Sequence, residues 1–247
     1  MKSPLLLAAL AASTLMAAPA TLQTAERDNA GSFFSFKDED WSSHIRLTAG
    51  GYGNFGSQME LSDPAASTHG DLYGTRLDLQ LKLYTKERFN LWVGLGGSWT
   101  PEQEFGTYSE NDSEPDLYTE TFNGKMELRS YALRAMVVPE WQVLDPLALG
   151  LRLGVEVGRN KAKFSESWSY TDIGGTEHDS WNFENAETLV RGIAGLQATW
   201  MFTEHIGLTA YGEGQFGQDM NLEIDGEKFG TLKGTAFEAG IGLTWQF

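Results

Sequence analysis

The chain has 247 residues and carries 34 Asp and Glu against 18 Lys and Arg, for a formal net charge of -16. This charge argues against a nucleic-acid partner, whose backbone is itself anionic. The absence of cysteine excludes disulfides, thiolate metal ligands and a lipidated cysteine anchor. After the first twenty residues no stretch is apolar enough for a membrane-spanning helix, which needs about 20 consecutive apolar residues.

The N-terminus has the pattern of a secretory signal peptide. Lys2 precedes an apolar stretch that ends in the Ala-Pro-Ala of 18–20, a small-residue cleavage pattern. We therefore predict a signal peptide over 1–20, with the cleavage position left open, and a periplasmic leader over 21–42. The aromatic segment Phe33–Trp41 either docks at the barrel mouth, lies on the inner leaflet, or is disordered.

Eight segments follow in which apolar and polar or small residues alternate, the period of a β-strand with two different faces. Thr75–Tyr84 shows the pattern most clearly, because four leucines alternate with Arg76, Asp78, Gln80 and Lys82. In chain order the predicted strands are Ile45–Phe55, Thr75–Tyr84, Leu91–Trp99, Tyr131–Val137, Leu147–Asn160, Val190–Phe202, Ile206–Phe216 and Phe237–Phe247.

The connections between these segments alternate between short and long. Short links (TKERFN, VPEWQVLDP and TEH) join the second strand to the third, the fourth to the fifth and the sixth to the seventh. The other connections are polar loops, over about 56–72, 101–124, 161–187 and 217–234. An even number of antiparallel strands with short turns at one end and long loops at the other predicts a transmembrane β-barrel over 43–247.

The alternation alone leaves a soluble barrel or a β-sandwich open, because both place the apolar face inside. Two features favour apolar residues outside. The minor face is rich in glycine and charges, which suits a narrow lumen better than a solvated exterior. Aromatic or apolar pairs ten residues apart, such as Phe237 and Phe247, bracket the strands at about 25 Å, the height of a lipid-facing band.

The C-terminal strand resembles the last strand of bacterial outer-membrane barrels. The shared pattern is an alternation that ends in phenylalanine, and it is carried by Phe237, Ala239, Ile241, Leu243, Trp245 and Phe247. With eight strands and four long loops, the chain resembles the small barrels of the OmpA transmembrane-domain and OmpX type. This resemblance implies an all-β, eight-stranded, up-and-down antiparallel barrel in a Gram-negative outer membrane, recognised by the barrel-assembly machinery. It also implies extracellular loops and periplasmic termini. Ten strands remain an alternative if the third loop inserts as a hairpin.

Strand parity predicts which charged residues face the lumen. Six are positive and four are negative, and an eight-stranded barrel is only just wide enough for its own side chains, so they must pair. We expect a structural network of ion pairs; the alternative is a gate that opens a narrow path for ions or small solutes. The predicted network comprises Arg46, Arg76, Asp78, Lys82, Arg134, Arg152, Glu156, Arg191, Glu213 and Glu238.

The long loops are acidic. The second loop contains seven carboxylates and no Lys or Arg. The simplest interpretation is a solvated loop; divalent-cation binding is an alternative, although no calcium-loop spacing is present. In the third loop the alternation continues on both sides of IGGTEHD and predicts a protruding hairpin. Asp225 and Gly226 predict a tight turn in the fourth loop. Such edges could bind a partner strand.

A lipid-modifying enzyme is a further alternative. His178 and Ser180 with Glu177, Glu184 and Glu187 loosely resemble the His, Ser and Glu set of lipid A deacylase barrels. The set lies in a polar loop, away from the lipid wall, so we expect no catalytic residue. The sequence therefore predicts a monomeric, non-enzymatic barrel that contacts outer-membrane lipid, has a surface-interaction, adhesion or envelope-stabilising role, and needs no cofactor or metal.

Overall fold

The computed structural model describes residues 44–61, 67–114, 118–224 and 226–247. The predicted signal peptide (1–20) and leader (21–42) lie outside the described residues. Within the described part of the chain no helix is long and apolar enough to cross a membrane.

Almost all described residues belong to ten antiparallel strands. The four in the middle of the chain are the longest, at 26 or 27 residues. The strands are β1 (Ile45–Leu61), β2 (Ser67–Lys86), β3 (Phe89–Glu114), β4 (Tyr118–Leu144), β5 (Leu147–Asp172), β6 (Gly175–Met201), β7 (Ile206–Gly217), β8 (Met220–Ile224), β9 (Glu227–Leu232) and β10 (Ala236–Gln246).

Eight of these strands close into a ring. Strands β1 to β7 pair in chain order, β7 pairs with β10, and β10 returns to β1 from Arg46 opposite Gln246 to Phe55 opposite Phe237. The predicted eight-stranded up-and-down barrel is confirmed. The third loop does not insert two strands into the ring, because it continues β5 and β6 to Asp172 opposite Gly175 as the predicted hairpin.

The apolar face of the ring lies outside. Leu79, Leu151 and Leu243 are 52%, 39% and 48% exposed, so they form no central core. Closing the ring leaves no unpaired strand edge within a bilayer, which is the condition for β-structure to span lipid. Aromatic side chains ring both ends of the apolar belt. At the short-turn end Phe89 packs edge-on against Trp141 at 5.2 Å, and at the long-loop end Phe55 packs against Tyr73 at 6.4 Å.

Beyond the belt the strands continue, and the prediction of a polar loop over about 101–124 is wrong, because most of this segment belongs to β3 and β4. Strands β3 and β4 pair up to Glu114 opposite Tyr118, and β4 pairs with β5 up to Tyr118 opposite Asp172. The apolar alternation ends where the lipid ends, but backbone pairing needs no apolar face and continues into water. We call the upper parts of β3 to β6 (101–114, 118–130, 160–172 and 175–189) the protruding sheet.

The fourth loop folds into the β8–β9 hairpin, as the predicted turn requires. Gly226 has a φ of 86°, in the left-handed region that glycine tolerates; Asp225 lies outside the described residues. Strand β9 pairs with upper β1, Met59 opposite Leu232. On the other side, the Asn185 amide of β6 binds both backbone groups of Glu223, donating at 2.8 Å and accepting at 3.1 Å. The hairpin thus completes the cylinder above the ends of β7 and β10.

The interior of this upper cylinder is apolar. We call this cluster the plug. It consists of the buried residues Met59, Leu72, Phe105, Met126, Leu128, Ala162, Leu189, Met220, Leu222 and Leu232, against which Phe164 and Phe229 pack. The sequence does not predict the plug, because all of its residues lie outside the eight predicted strands and most of them lie in the predicted polar loops.

Candidate functional site

The charged residues predicted to face the lumen lie on the interior face of the ring. Lys82 and Arg191 are partly buried. The other eight, Arg46, Arg76, Asp78, Arg134, Arg152, Glu156, Glu213 and Glu238, are buried. They form two clusters at different heights, the central cluster around Glu213 and a second cluster nearer the short turns.

Glu213 holds the central cluster together. Its Oε1 accepts a hydrogen bond from Arg134 at 2.6 Å and lies 3.3 Å from Arg76, while its Oε2 accepts from Arg152 at 2.9 Å. Three guanidinium groups therefore share one carboxylate. The repulsion among the three guanidinium groups is offset because each of them also contacts a second carboxylate.

Each of the three arginines has another acidic partner. Arg76 pairs with Glu238, Arg134 pairs with Glu156, and Arg152 reaches Asp78 at 3.1 Å. The partly buried Arg191 lies 3.6 Å from the second oxygen of Glu156. The Tyr211 ring lies under Arg152 at 4.4 Å and under Arg76 at 4.6 Å. A cation over an aromatic face in a desolvated site adds about 1 to 2 kcal/mol of attraction, so Tyr211 supports the cluster although it carries no charge.

The second cluster contains a carboxylate that sequence reasoning missed. Glu140 accepts two hydrogen bonds from Arg46, at 2.7 and 3.0 Å, and one from the Trp92 indole nitrogen at 3.1 Å. The Arg46 guanidinium lies 4.0 Å over the Trp92 ring. We call this arrangement the Trp–Glu–Arg triad.

The sequence pattern places Glu140 in the short link VPEWQVLDP, but β4 continues through it to Leu144. The signal that could have found it is parity, because Arg134, Met136, Val138 and Glu140 alternate on one face. Pro139 obscured this pattern, since proline normally ends a strand.

Gln197 joins the two clusters. Its side-chain oxygen accepts from Arg152 at 3.2 Å, and its nitrogen donates to Glu140 at 3.3 Å. Toward the short-turn end, hydroxyl contacts run from Thr48 through Thr244 and Thr209 to Thr199, at 3.0, 2.7 and 3.1 Å. Polar groups thus fill the interior across the whole belt.

The free space in this interior is small. One cavity, with a volume of about 30 Å³, lies between the central cluster and the plug and is lined by residues that include Asn160, Arg191 and Leu232. At about 10 to 15 Å³ for each water molecule, it has room for about two. Among the described residues, ion pairs fill the lumen within the belt and the plug fills it above the belt.

The inward face of the protruding sheet has a different character. The register between β4 and β5 is unbroken from the belt to the tips, so alternation places this face on the same side as Arg134 and Arg152. On it, Glu120 lies opposite Tyr170 and Phe122 lies opposite Trp168. Tyr118 and Tyr170 stack at 5.8 Å with 20° between the ring planes, and Trp168 and Tyr170 stack at 6.0 Å with 19°.

Carboxylates border these rings. The Trp168 indole nitrogen donates to Glu120, and the Tyr118 hydroxyl donates to Asp112 at 3.1 Å. The bond to the Asp112 carboxylate raises the pKa of Tyr118, because it stabilises the protonated phenol. The sequence segments 101–124 and 164–190 contain no Lys or Arg. Among the described residues no three His, Asp or Glu side chains converge closely enough to hold a metal ion.

Lysines of the upper barrel lie below this face and are paired with carboxylates. Lys125 donates to Glu127 at 2.6 Å, and this hydrogen bond raises the pKa of Lys125 and lowers that of Glu127. Lys161 lies 2.6 Å from Glu184, and Lys163 lies 3.3 Å from Glu127.

The other sequence-predicted residues lie as follows. His178 and Ser180 are exposed on the outer part of β6, opposite Ser169 and Ser167. Glu177, Glu184 and Glu187 are also exposed. The residues of the C-terminal pattern alternate outward on β10 and at the chain end; Phe237, Ile241, Leu243 and Phe247 are about half exposed, while Ala239 and Trp245 are partly buried.

A closed strand ring with an apolar outer belt, aromatic ends and a charged interior defines an integral β-barrel of the outer-membrane class. No protein-family model and no curated protein matches the chain.

Solved structures of small outer-membrane barrels are similar to it in fold. Ail, the attachment invasion locus protein of Yersinia pestis, is 15% identical over 82% of this chain and 99% of its own, with a TM-score of 0.37. Neisserial surface protein A is 12% identical over 82% and 97%, with a TM-score of 0.37. The N-terminal barrel of Pseudomonas aeruginosa OprF is 16% identical over 83% and 98%, with a TM-score of 0.27.

Proposed function

We propose that this barrel is a non-enzymatic surface-interaction protein, with its long-loop end outside the cell and its termini in the periplasm, and that it binds partners through the protruding sheet. The observation that carries this proposal is that, among the described residues, no strand pairs with the two outer edges of that sheet near its tips. Strand β3 pairs with β2 only up to Trp99 opposite Thr75, and β6 pairs with β7 only up to Arg191 opposite Gly217. Both strands continue beyond these points.

Open strand edges present unpaired backbone groups to a partner. In solution such edges promote aggregation, and natural proteins usually shield them, but they also allow an extended segment of a partner to pair as an additional strand. Here the Gln103 side chain links the lower part of the β3 edge to β2, because it donates to the Tyr73 carbonyl and accepts from the Tyr73 amide. The outer part of β6, from Gly175 at the tip down to Asn182, is exposed and lies above the contact of Asn185 with β8, so this edge is the stronger candidate for strand addition.

The filled interior supports binding over conduction. A path through the barrel would have to break the pairs around Glu213 and also displace the plug, and either step removes interactions worth several kcal/mol. We expect no conductance steps when the refolded chain is inserted into planar bilayers. Regular steps that change size in Arg152→Ala would favour the narrow channel instead.

The position of Ser180 supports a non-enzymatic role. It lies ten residues above Val190, which faces outward near the upper edge of the belt, a climb of about 25 Å on a tilted strand. Acyl chains within a bilayer would not reach it. Mass spectrometry of lipid A should give the same masses in cells that express the unaltered chain, in cells that express Ser180→Ala and in cells that express neither. A deacylated lipid A found only in cells with the unaltered chain would contradict the non-enzymatic role.

Binding is tested by shortening the protruding sheet at paired positions. Thr107 lies opposite Lys125 and Ser165 opposite Asn182, so a two-residue turn between each pair removes both tips and keeps the register. Cells that display the full chain should be retained several-fold better than cells with the shortened chain on at least one coating from a panel of proteins and glycans. Equal retention on every coating, with both chains folded and displayed, would contradict the proposal.

A further inference from the structure

We propose that the inward face of the protruding sheet, formed by Asp112, Tyr118, Glu120, Trp168 and Tyr170, binds an arginine-bearing peptide segment of a partner protein. We call it the aromatic–acidic face. The inference rests on the proposed surface-binding function and names the chemistry of the partner.

The chain itself shows what this arrangement of side chains accepts. In the Trp–Glu–Arg triad, Glu140 accepts from the Trp92 indole nitrogen and from Arg46, and the Arg46 guanidinium lies over the indole ring. On the aromatic–acidic face, Glu120 accepts from the Trp168 indole nitrogen in the same way. No salt bridge joins Glu120 to a cation among the described residues. Trp168 and Glu120 therefore reproduce the triad without its arginine.

The surroundings extend this pair into a longer platform. The stacked row of Trp168, Tyr170 and Tyr118 spans β4 and β5. Asp179 lies opposite Trp168 and Glu177 opposite Tyr170 on β6. The stacked rings thus have carboxylates on both sides, so a chain with several cationic side chains could use more than one ring.

Charge complementarity selects a cationic occupant. The two segments that form the face contain no Lys or Arg, so anionic polysaccharides and nucleic acids are repelled. Among the described residues the carboxylates do not converge on a metal position. Arginine suits the face better than lysine, because its planar guanidinium stacks on rings and binds carboxylates with two hydrogen bonds. Trp181 lies on the same face beside the β6 edge and is 38% exposed.

The test uses the full chain folded into zwitterionic lipid nanodiscs and fluorescein-labelled peptides of equal length, namely oligo-arginine, oligo-lysine and oligo-glutamate. Fluorescence anisotropy should show that oligo-arginine binds more tightly than oligo-lysine and that oligo-glutamate does not bind. Trp168→Leu, which removes the ring, and Glu120→Gln, which removes the charge, should each weaken oligo-arginine binding about tenfold. Trp168→Phe should recover part of the loss, since it restores a ring face.

Glu204→Gln is the matched control. It removes the same charge at an exposed position in the β6–β7 turn, at the opposite end of the barrel, and should leave oligo-arginine affinity unchanged. The inference would be overturned if oligo-arginine and oligo-lysine bound equally tightly and if Glu120→Gln and Glu204→Gln lowered their affinity equally. Such a result would show that the peptides are attracted by net charge alone. Absence of oligo-arginine binding would also overturn the inference. In either case a coating that still distinguishes the full from the tip-shortened chain would leave the proposed function standing.

Discussion

Replacing Glu213 by Gln tests whether the central cluster holds the barrel together. Glu213 is 1% exposed and contacts Arg76, Arg134 and Arg152 at 3.3, 2.6 and 2.9 Å. Glutamine keeps the shape and one acceptor oxygen but removes the negative charge that separates the three guanidinium groups. The three guanidinium groups then face each other in the buried interior with one carboxylate fewer between them.

The size of the effect follows from what remains. Removing one partner of a buried ion pair costs about 3 to 5 kcal/mol when the other charge is left alone. Here Arg76, Arg134 and Arg152 keep Glu238, Glu156 and Asp78. We therefore expect the lower end of that range, a loss of about 3 kcal/mol in the free energy of unfolding.

Urea titration of the barrel in short-chain lipid vesicles, followed by tryptophan fluorescence, measures this free energy. The exposed change Glu204→Gln serves as the control and should fall within about 0.5 kcal/mol of the unaltered chain. Combining Glu213→Gln with Arg76→Gln removes one charge of each sign, so the double variant should lose at least about 1 kcal/mol less than the sum of the single losses. A Glu213→Gln variant as stable as the control, or strictly additive losses, would refute the account of the cluster.

Two further predictions concern the upper barrel. Leu222→Asp places a charge in the plug. Amide hydrogen exchange should therefore become faster in 220–232, while the strands of the lower barrel keep their protection from exchange. Unchanged exchange in 220–232 would show that Leu222 does not hold the β8–β9 hairpin in place. Lys125→Met removes the hydrogen bond that lowers the pKa of Glu127, so this pKa should rise toward its usual 4.5 in carboxyl NMR titration. Because the pKa of Glu127 is lower in the folded state than in the unfolded state, the Lys125–Glu127 pair stabilises the fold above pH 4.5. This stabilisation is lost as the pH falls through the lowered pKa of Glu127. An unchanged pKa of Glu127 in Lys125→Met would contradict the role given to this hydrogen bond.

Much of the barrel could be predicted from residue order alone. Alternation along a single strand places Leu79 outside and Arg76 and Asp78 inside, because successive side chains point to opposite faces. The same parity placed Arg134, Arg152, Glu213 and Glu238 in the lumen, where the structure has them. This reasoning is local, and it works wherever the alternation is unbroken.

It fails where local cues mislead. Pro139 interrupts the pattern, so Glu140 was assigned to a turn although β4 continues through it. In the second loop a run of acidic residues predicts a solvated loop, yet the segment pairs with its neighbours to the tips of β3 and β4. Charge on both faces removes the sequence signal for a strand without removing the backbone hydrogen bonds that form it.

The sequence by itself therefore determined that the chain is a barrel, that its apolar face is outside and that its lumen charges must pair. Only the tertiary structure decided which charges pair, that the β8–β9 hairpin seals the upper cylinder with apolar side chains, and that Trp168 and Glu120 meet on neighbouring strands. The reason is register: alternation sets the face on which a side chain lies, whereas the offset between neighbouring strands sets which side chains stand opposite one another.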